Sequence, residues 1–360
     1  MKRIGILTGG GDAPGLNAVI RAAGKTAINV YGCEVFGIRN GYDGFLEEDG
    51  TVPLDMKSIR GILPLGGTIL GTANRGNPYA RKVIRDGKEL TIDVSDEIVK
   101  GIEKLKLDAL LVLGGDGTLH IAHELYQKGV PIIGVPKTID NDIGGTEATF
   151  GFDTAVNIAT EAFDRLHTTA ESHHRVMVLE LMGRDAGFIA LLAGVSGGAD
   201  VILIPEFPFK FENVVNKVRE RVKKGSPFSL VAVSEGAKPL GGAQVFSRKG
   251  DEIYVPRLGG IGQCVAEYVE QNGFESRVTV LGHLQRGGTP TAFDRWLATR
   301  FGAAAVRLAV AGGFDRMVAL RAGRITDITL EESAAAPKRV QPDDDAVVTA
   351  RGIGISFGDE

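Results

Sequence analysis

Five short segments, each set directly after an apolar run, carry the residue types that phosphoryl chemistry needs. Thr8-Gly9-Gly10-Gly11-Asp12-Ala13-Pro14-Gly15 and Gly114-Gly115-Asp116-Gly117-Thr118 are glycine turns that precede segments of helical periodicity. Glycine there lets backbone N–H groups and the positive end of a helix face an anion. The first turn lacks the Gly-x-x-x-x-Gly-Lys-Ser/Thr pattern, which excludes an ordinary P-loop, and a tight connection between strand and helix is its plain alternative. In the second, Asp116 offers an oxygen ligand of the kind Mg²⁺ takes alongside waters and substrate phosphates. Simple capping of the helix is the alternative there.

The third segment is Pro136-Lys137-Thr138-Ile139-Asp140-Asn141-Asp142. Its Asp140 and Asp142 are two apart, so an extended or turning backbone can aim both to one side, one as a base and the other toward a metal. Repulsion and burial would raise one carboxyl pKa; a surface Asx-turn uses the same residues. Met182-Gly183-Arg184 and Gly282-His283-Leu284-Gln285-Arg286-Gly287-Gly288 supply guanidinium forks that match phosphate oxygens. Arg175 and Arg277 each begin a strand and fall at its opposite end, away from that phosphate pocket within one subunit, so a neighbouring subunit could supply them. Structural ion pairs are the alternative for any single arginine.

Strands must position these segments. Apolar runs at Arg3–Leu7, Val35–Ile38, Ala109–Leu113, Ile132–Val135, Val176–Leu181, Val201–Ile204, Leu230–Val233 and Val278–Leu281 alternate with helical periodicity, which predicts an α/β fold of two Rossmann-like lobes with mainly parallel sheets flanked by helices. Helices are expected from Leu16-Asn17 and from Leu119 to Gln127. Val156, Ala159, Phe163 and Leu166 predict one buried helix face. At 360 residues two lobes are the default. With no Pro/Ser-rich linker they should pack tightly and exchange chain segments.

Composition narrows the classes. An apolar fraction of 43% with 24% charged residues excludes disorder. A net charge of −4 with dispersed basic residues speaks against nucleic acid as a partner. The apolar run from Ile4 ends at Gly9, too short for a signal peptide core or a membrane span. Cys33 and Cys264 have no metal-ligand spacing and read as reduced thiols, so a cytoplasmic home is expected.

Together the five segments resemble the 6-phosphofructokinase family, in the family's order and over nearly the whole chain. The resemblance implies transfer of a phosphoryl group from Mg-ATP to the 1-hydroxyl of fructose 6-phosphate, as in glycolysis. It implies a larger nucleotide-binding lobe of residues 1–150 plus about 285–335, and a smaller sugar-phosphate-binding lobe of residues 151–284 plus about 336–360. It makes Asp140 the general base, Arg184 the stabiliser of the moving phosphoryl group, and adds Lys137 and Thr138 to the catalytic set. Asp116 and Asp142 would hold Mg²⁺. Gly11, Arg75, Gly115, Asp116, Gly117 and Thr118 would contact the nucleotide, although Asn74 shifts the register at Arg75 relative to the family. Thr138, Ile139, Asp140, Met182, Gly183, Arg184, Glu235, His283, Leu284, Gln285 and Arg286 would contact the sugar phosphate. A helix-capping role is the alternative for Glu235. Arg175 and Arg277 would reach in from another subunit, which implies a homo-oligomer, dimer or tetramer.

Two positions speak to the phosphoryl donor. Gly117 resembles ATP-dependent members, whereas pyrophosphate-dependent ones carry an aspartate there. Lys137 resembles the pyrophosphate type. The combination resembles a mixed-substrate subgroup, and ATP is expected because a missing side chain is a steric requirement while an extra lysine can be tolerated. Pyrophosphate-dependent transfer is the alternative. A non-catalytic sugar-phosphate sensor fits poorly with intact Asp116, Asp140, Asp142 and Arg184. NAD or diacylglycerol kinases share the Gly-Gly-Asp-Gly turn but not the third and fifth segments.

Overall fold

The computed structural model describes residues 1–73, 76–85, 88–248 and 257–360. In chain order its elements are β1 (Arg3–Thr8), α1 (Leu16–Tyr31), β2 (Glu34–Ile38), β3 (Thr51–Pro53), β4 (Arg81–Arg85), β5 (Lys88–Ile92), α2 (Ser95–Leu105), β6 (Ala109–Gly114), α3 (Asp116–Gln127), β7 (Ile132–Pro136) and α4 (Phe152–His173). There follow β8 (Val176–Leu181), α5 (Phe188–Ser196), β9 (Val201–Leu203), α6 (Phe211–Lys223), β10 (Ser229–Ser234), β11 (Phe246–Arg248), β12 (Arg257–Leu258), α7 (Ile261–Gln271), β13 (Ser276–Val280), α8 (Ala292–Val310), β14 (Arg316–Arg321), β15 (Arg324–Thr329), α9 (Leu330–Ala335) and α10 (Asp345–Gly352). Every strand expected from the sequence is present, with ends displaced by at most two residues.

The chain divides into two compact units: Met1–Thr138, Asp142–Asp153 and Arg286–Pro337 form the first, and Ile139–Asn141, Thr154–Gln285 and Lys338–Glu360 the second. The first holds a sheet in the order β15-β14-β7-β6-β1-β2-β3. Its interior pairs are parallel, while β3 and β15 add antiparallel edges. Those edge strands were not anticipated: β15 reads Arg-Ile-Thr-Asp-Ile-Thr, half polar because it is only partly buried.

Alternation along β6 sorts the core onto two faces. Leu111 and Leu113 join Ile4 and Ile6 beneath α1 and α8, whereas Leu110 and Val112 face Ile98, Leu119, Ala122 and Leu125 of α2 and α3. From β1 the chain first builds outward to β2, and later to β6 and β7 on the other side. Strand order therefore reverses between β1 and β6, the place where open α/β sheets bind ligands at their carboxyl ends.

The second unit holds four parallel strands, β13-β8-β10-β9. Val178, Leu203, Val214, Val231 and Val265 are among its core residues. Glu180, the next-to-last residue of β8 and 2% exposed, is compensated by the amides that start α7. Gly260 N donates to both its oxygens at 2.9 and 3.0 Å, and Gly262 N to Oε2 at 2.8 Å. A buried carboxylate is tolerable against such a positive helix end.

Two local expectations need correction. On α4, Ala159 and Phe163 are fully buried but Val156 and Leu166 only half-buried, because at about 100° per residue they fall at the margins of the stripe. Helix α3 starts at Asp116 rather than Leu119. Among the described residues no helix is long and apolar enough to cross a membrane.

Candidate active site

In the first unit, the carboxyl ends of β1, β6 and β7 lie side by side, with Thr8 opposite Leu113 and Gly114 opposite Pro136. This register alone gathers the Gly9–Gly11 turn, the Gly114–Thr118 turn and Lys137 at one sheet edge. Thr118 seats between the two turns. A Cβ on Gly9 would stand 2.5 Å from Thr118 Cγ2, and one on Gly114 2.3 Å from Thr118 Cβ, so any side chain at either position would push the turns apart. The Tyr42 hydroxyl donates to Thr118 O at 3.1 Å; burial pushes its pKa well above the usual phenol range, which keeps it a donor.

Gly115 is the N-cap of α3 and no side chain caps this helix. Asp116 is thus an exposed first-turn residue, where its charge complements the helix dipole. A Cβ on Gly117 would meet no protein atom within 4 Å. The turn therefore presents the helix-start N–H groups of Asp116 and Gly117 to open space beside a carboxylate, while Thr118 N donates to Gly115 O at 3.0 Å. That arrangement fits a polyphosphate with its Mg²⁺.

Two cations embrace the first turn. Lys137, 4% exposed, donates its Nζ to Gly11 O, and its backbone N donates to Gly114 O at 3.0 Å. Arg286 Nη1 donates to Asp12 O at 3.1 Å. Residues that sequence reasoning missed brace the same turn: Thr72 Oγ1 donates to Gly10 O, and Thr8 Oγ1 to Gly71 O at 2.7 Å. Asn17 Nδ2 donates to Leu65 O and Gly66 O at 3.1 and 3.2 Å, and its Oδ1 accepts from Ile69 N at 2.9 Å. The one signal for it was a poor helix former in the first turn of α1. Arg75 lies outside the described residues.

Thr138, whose carbonyl accepts from Thr149 Oγ1 at 2.7 Å, ends the first segment of unit one. Ile139, Asp140 and Asn141 are buried members of the second unit, and the half-buried Asp142 returns to the first. Asn141 has φ 56°, a left-handed conformation. This breaks the pleat between Asp140 and Asp142, so a turn rather than strand alternation sets their directions.

In the second unit, β8 runs into Met182-Gly183-Arg184, where Gly183 has φ 140° and Arg184 φ 50°. A non-glycine residue held left-handed costs about 1–2 kcal/mol and persists only where its surroundings enforce it. Met182 N donates to Gln285 Oε1 at 2.9 Å, Arg184 N to Glu235 Oε1 at 3.3 Å, and Ala186 N to Gly183 O at 2.9 Å. Glu235 follows β10 directly, and no helix starts there among the described residues, which removes the capping alternative. His283 and Leu284 are exposed whereas Gln285 is fully buried. Glu206 Oε1 accepts from Gly187 N and Val340 N at 3.0 and 3.1 Å, and burial raises its carboxyl pKa.

Arg175 and Arg277 are not gathered with Arg184. They stand at the other end of the parallel pair β8 and β13, with Arg175 seven residues before Met182, about 23 Å along a strand. Both guanidiniums share Glu275 Oε1, at 2.8 and 2.7 Å.

Comparisons with known proteins cover the same elements. Residues 3–309 match the family model described as Phosphofructokinase. A curated relative named ATP-dependent 6-phosphofructokinase, from Chloroflexus aurantiacus, is 53% identical over 360 residues, covering 100% of this chain and 98% of the relative. One from Streptomyces coelicolor, named pyrophosphate–fructose 6-phosphate 1-phosphotransferase, is 50% identical over 99% of this chain and 100% of its own length. Among solved structures, Pichia pastoris phosphofructokinase in the T-state superposes with a TM-score of 0.81 at 32% identity, over 93% of this chain and 35% of that one.

Proposed function

This chain belongs to the phosphofructokinase family, and on that premise we propose that it transfers a phosphoryl group from Mg-ATP to the 1-hydroxyl of fructose 6-phosphate, giving fructose 1,6-bisphosphate in the cytoplasm. The observation that carries this reading is the end-to-end likeness to a relative named for ATP-dependent phosphorylation of that sugar phosphate. The first unit serves as the nucleotide-binding lobe, the second as the sugar-phosphate-binding lobe. Gly11, Gly115 and Gly117 take the donor phosphates through backbone N–H groups, with Thr118 and Arg75 as further contacts. Bound Mg²⁺ neutralises phosphate charge; Asp116 and Asp142 are the residues that would hold it.

In the second unit Asp140 accepts the proton of the sugar 1-hydroxyl, and Arg184 offers its guanidinium to the charge that develops on the phosphoryl oxygens. Thr138, Ile139, Met182, Gly183, Glu235, His283, Leu284 and Arg286 bind the sugar phosphate. Arg175 and Arg277 serve the site of a second copy in a homo-oligomer.

Lys137 is compatible with ATP. Its ammonium is engaged with the Gly11 carbonyl, so it stabilises the turn, while the open direction at Gly117 leaves room for a nucleotide. The Streptomyces relative and the presence of Lys137 itself favour pyrophosphate as a second reading. Product formation from fructose 6-phosphate and Mg²⁺, with ATP and pyrophosphate side by side, tests both. ATP-only turnover is the expected result; pyrophosphate-only turnover would overturn it.

A further inference from the structure

We infer that Gln285 is a positioning residue: from a fully buried site its side-chain carbonyl holds the Met182 amide, and through it the strained backbone that presents Arg184. This rests on the proposed phosphoryl transfer and adds a residue to how it is carried out. The hydrogen bond joins positions 103 apart in sequence, linking the single turn at Gly282–Arg286 to the loop that leaves β8. The amide orientation follows from chemistry, since Met182 N–H is a donor and only Oε1 can accept it.

The loop needs such a restraint. Gly183 at φ 140° followed by Arg184 at φ 50° is a backbone that relaxes unless both sides are pinned. Glu235 pins the Arg184 amide at 3.3 Å, the longer contact; Gln285 pins Met182 at 2.9 Å from a site with no exposure. Glutamine suits that place because it offers a strong acceptor without burying an ion. Its Nε2 is buried with no hydrogen-bond partner among the described residues, so the side chain is retained at a cost that the Met182 contact must offset.

Gln285 thereby differs from its neighbours His283 and Leu284, which are exposed and available to a ligand. It acts on the sugar phosphate only through the Met182–Arg184 backbone. Both partners of this hydrogen bond belong to the second unit, so the two substrates should respond differently.

The test is steady-state kinetics of wild type, Gln285→Leu and Gln285→Glu, each substrate varied in turn from pH 6 to pH 8, with thermal unfolding alongside. Gln285→Leu strands the Met182 amide, and KM for fructose 6-phosphate should rise about tenfold and kcat fall about tenfold, with KM for ATP within about twofold of wild type. Gln285→Glu keeps an acceptor, and a buried carboxyl favours its protonated form. Its KM for fructose 6-phosphate should return to within about threefold of wild type at pH 6 and worsen toward pH 8. KM values for both substrates rising together, or Gln285→Glu as impaired as Gln285→Leu at every pH, would overturn the assignment. If the leucine variant does not fold, the pH-dependent rescue in the glutamate variant decides alone. A wild-type chain that makes no fructose 1,6-bisphosphate overturns the proposed function and this role with it; wild-type turnover with unsplit kinetics overturns only the role.

Discussion

The glycine turns of the first unit and the Met182–Arg184 loop of the second present functional groups by opposite means. The turns work through backbone. Three adjacent strand ends, helix-start N–H groups and glycines around Thr118 create the arrangement, with Thr72, Lys137 and Arg286 bracing the first turn through its backbone carbonyls. The loop works through side chains brought from afar: Gln285 and Glu235 hold two amides of a left-handed backbone from 103 and 51 positions away. A backbone cradle tolerates changes that keep it small, whereas a strained loop depends on each restraint.

Breaking the chemistry in the second unit should have the largest effect. Asp140→Asn is expected to lower kcat about 10²–10⁴-fold, the range for a lost general base, while fructose 6-phosphate binding measured by calorimetry stays near the wild-type value. Unchanged turnover would move the base elsewhere.

In the first unit, Gly117→Asp sets a second carboxylate where the turn opens to solvent. Like charges facing the donor phosphates should cost several kcal/mol, so kcat/KM for ATP falls about a hundredfold or more, with KM for fructose 6-phosphate much less affected. Lys137→Gly removes the ammonium from the Gly11 carbonyl, and a loss of about tenfold in kcat/KM for ATP is expected from one charge-assisted bond. Loss of pyrophosphate turnover alone would instead favour the second reading.

The smallest expected effect concerns Glu206, whose carboxyl pKa is raised by burial. A carboxyl with a raised folded-state pKa loses stability as pH climbs from its ordinary value of 4.5 through the raised one. Glu206→Gln has no such loss, so its melting temperature should match wild type near pH 4 and exceed it by about 2 °C at pH 7. The reverse order would mean that the Gly187 and Val340 amides outweigh burial.

Much of this was legible without coordinates. The alternation of apolar runs with helical segments specified the strands, because a parallel sheet buried on both faces needs continuous apolar runs. The three-residue β3 and the half-polar β15 escaped notice, since partly buried strands carry polar residues, and so did the buried β14 between β7 and β15. Glycine turns at strand ends announced the first unit's chemistry, because close backbone approach demands glycine in sequence-local positions. Family membership follows from the same segments, matched along the chain.

Tertiary structure decided the rest. That Asp140 and Asp142 are separated by a left-handed Asn141, that Lys137 is engaged by Gly11, and that Gln285 is buried under Met182 rather than exposed like His283 are not written in any one segment. Residue type and spacing determined which groups this protein has for phosphoryl transfer and on which strand ends they stand. Which of them point outward and which brace their neighbours depends on contacts between residues far apart in the chain, and only folding brings those partners together.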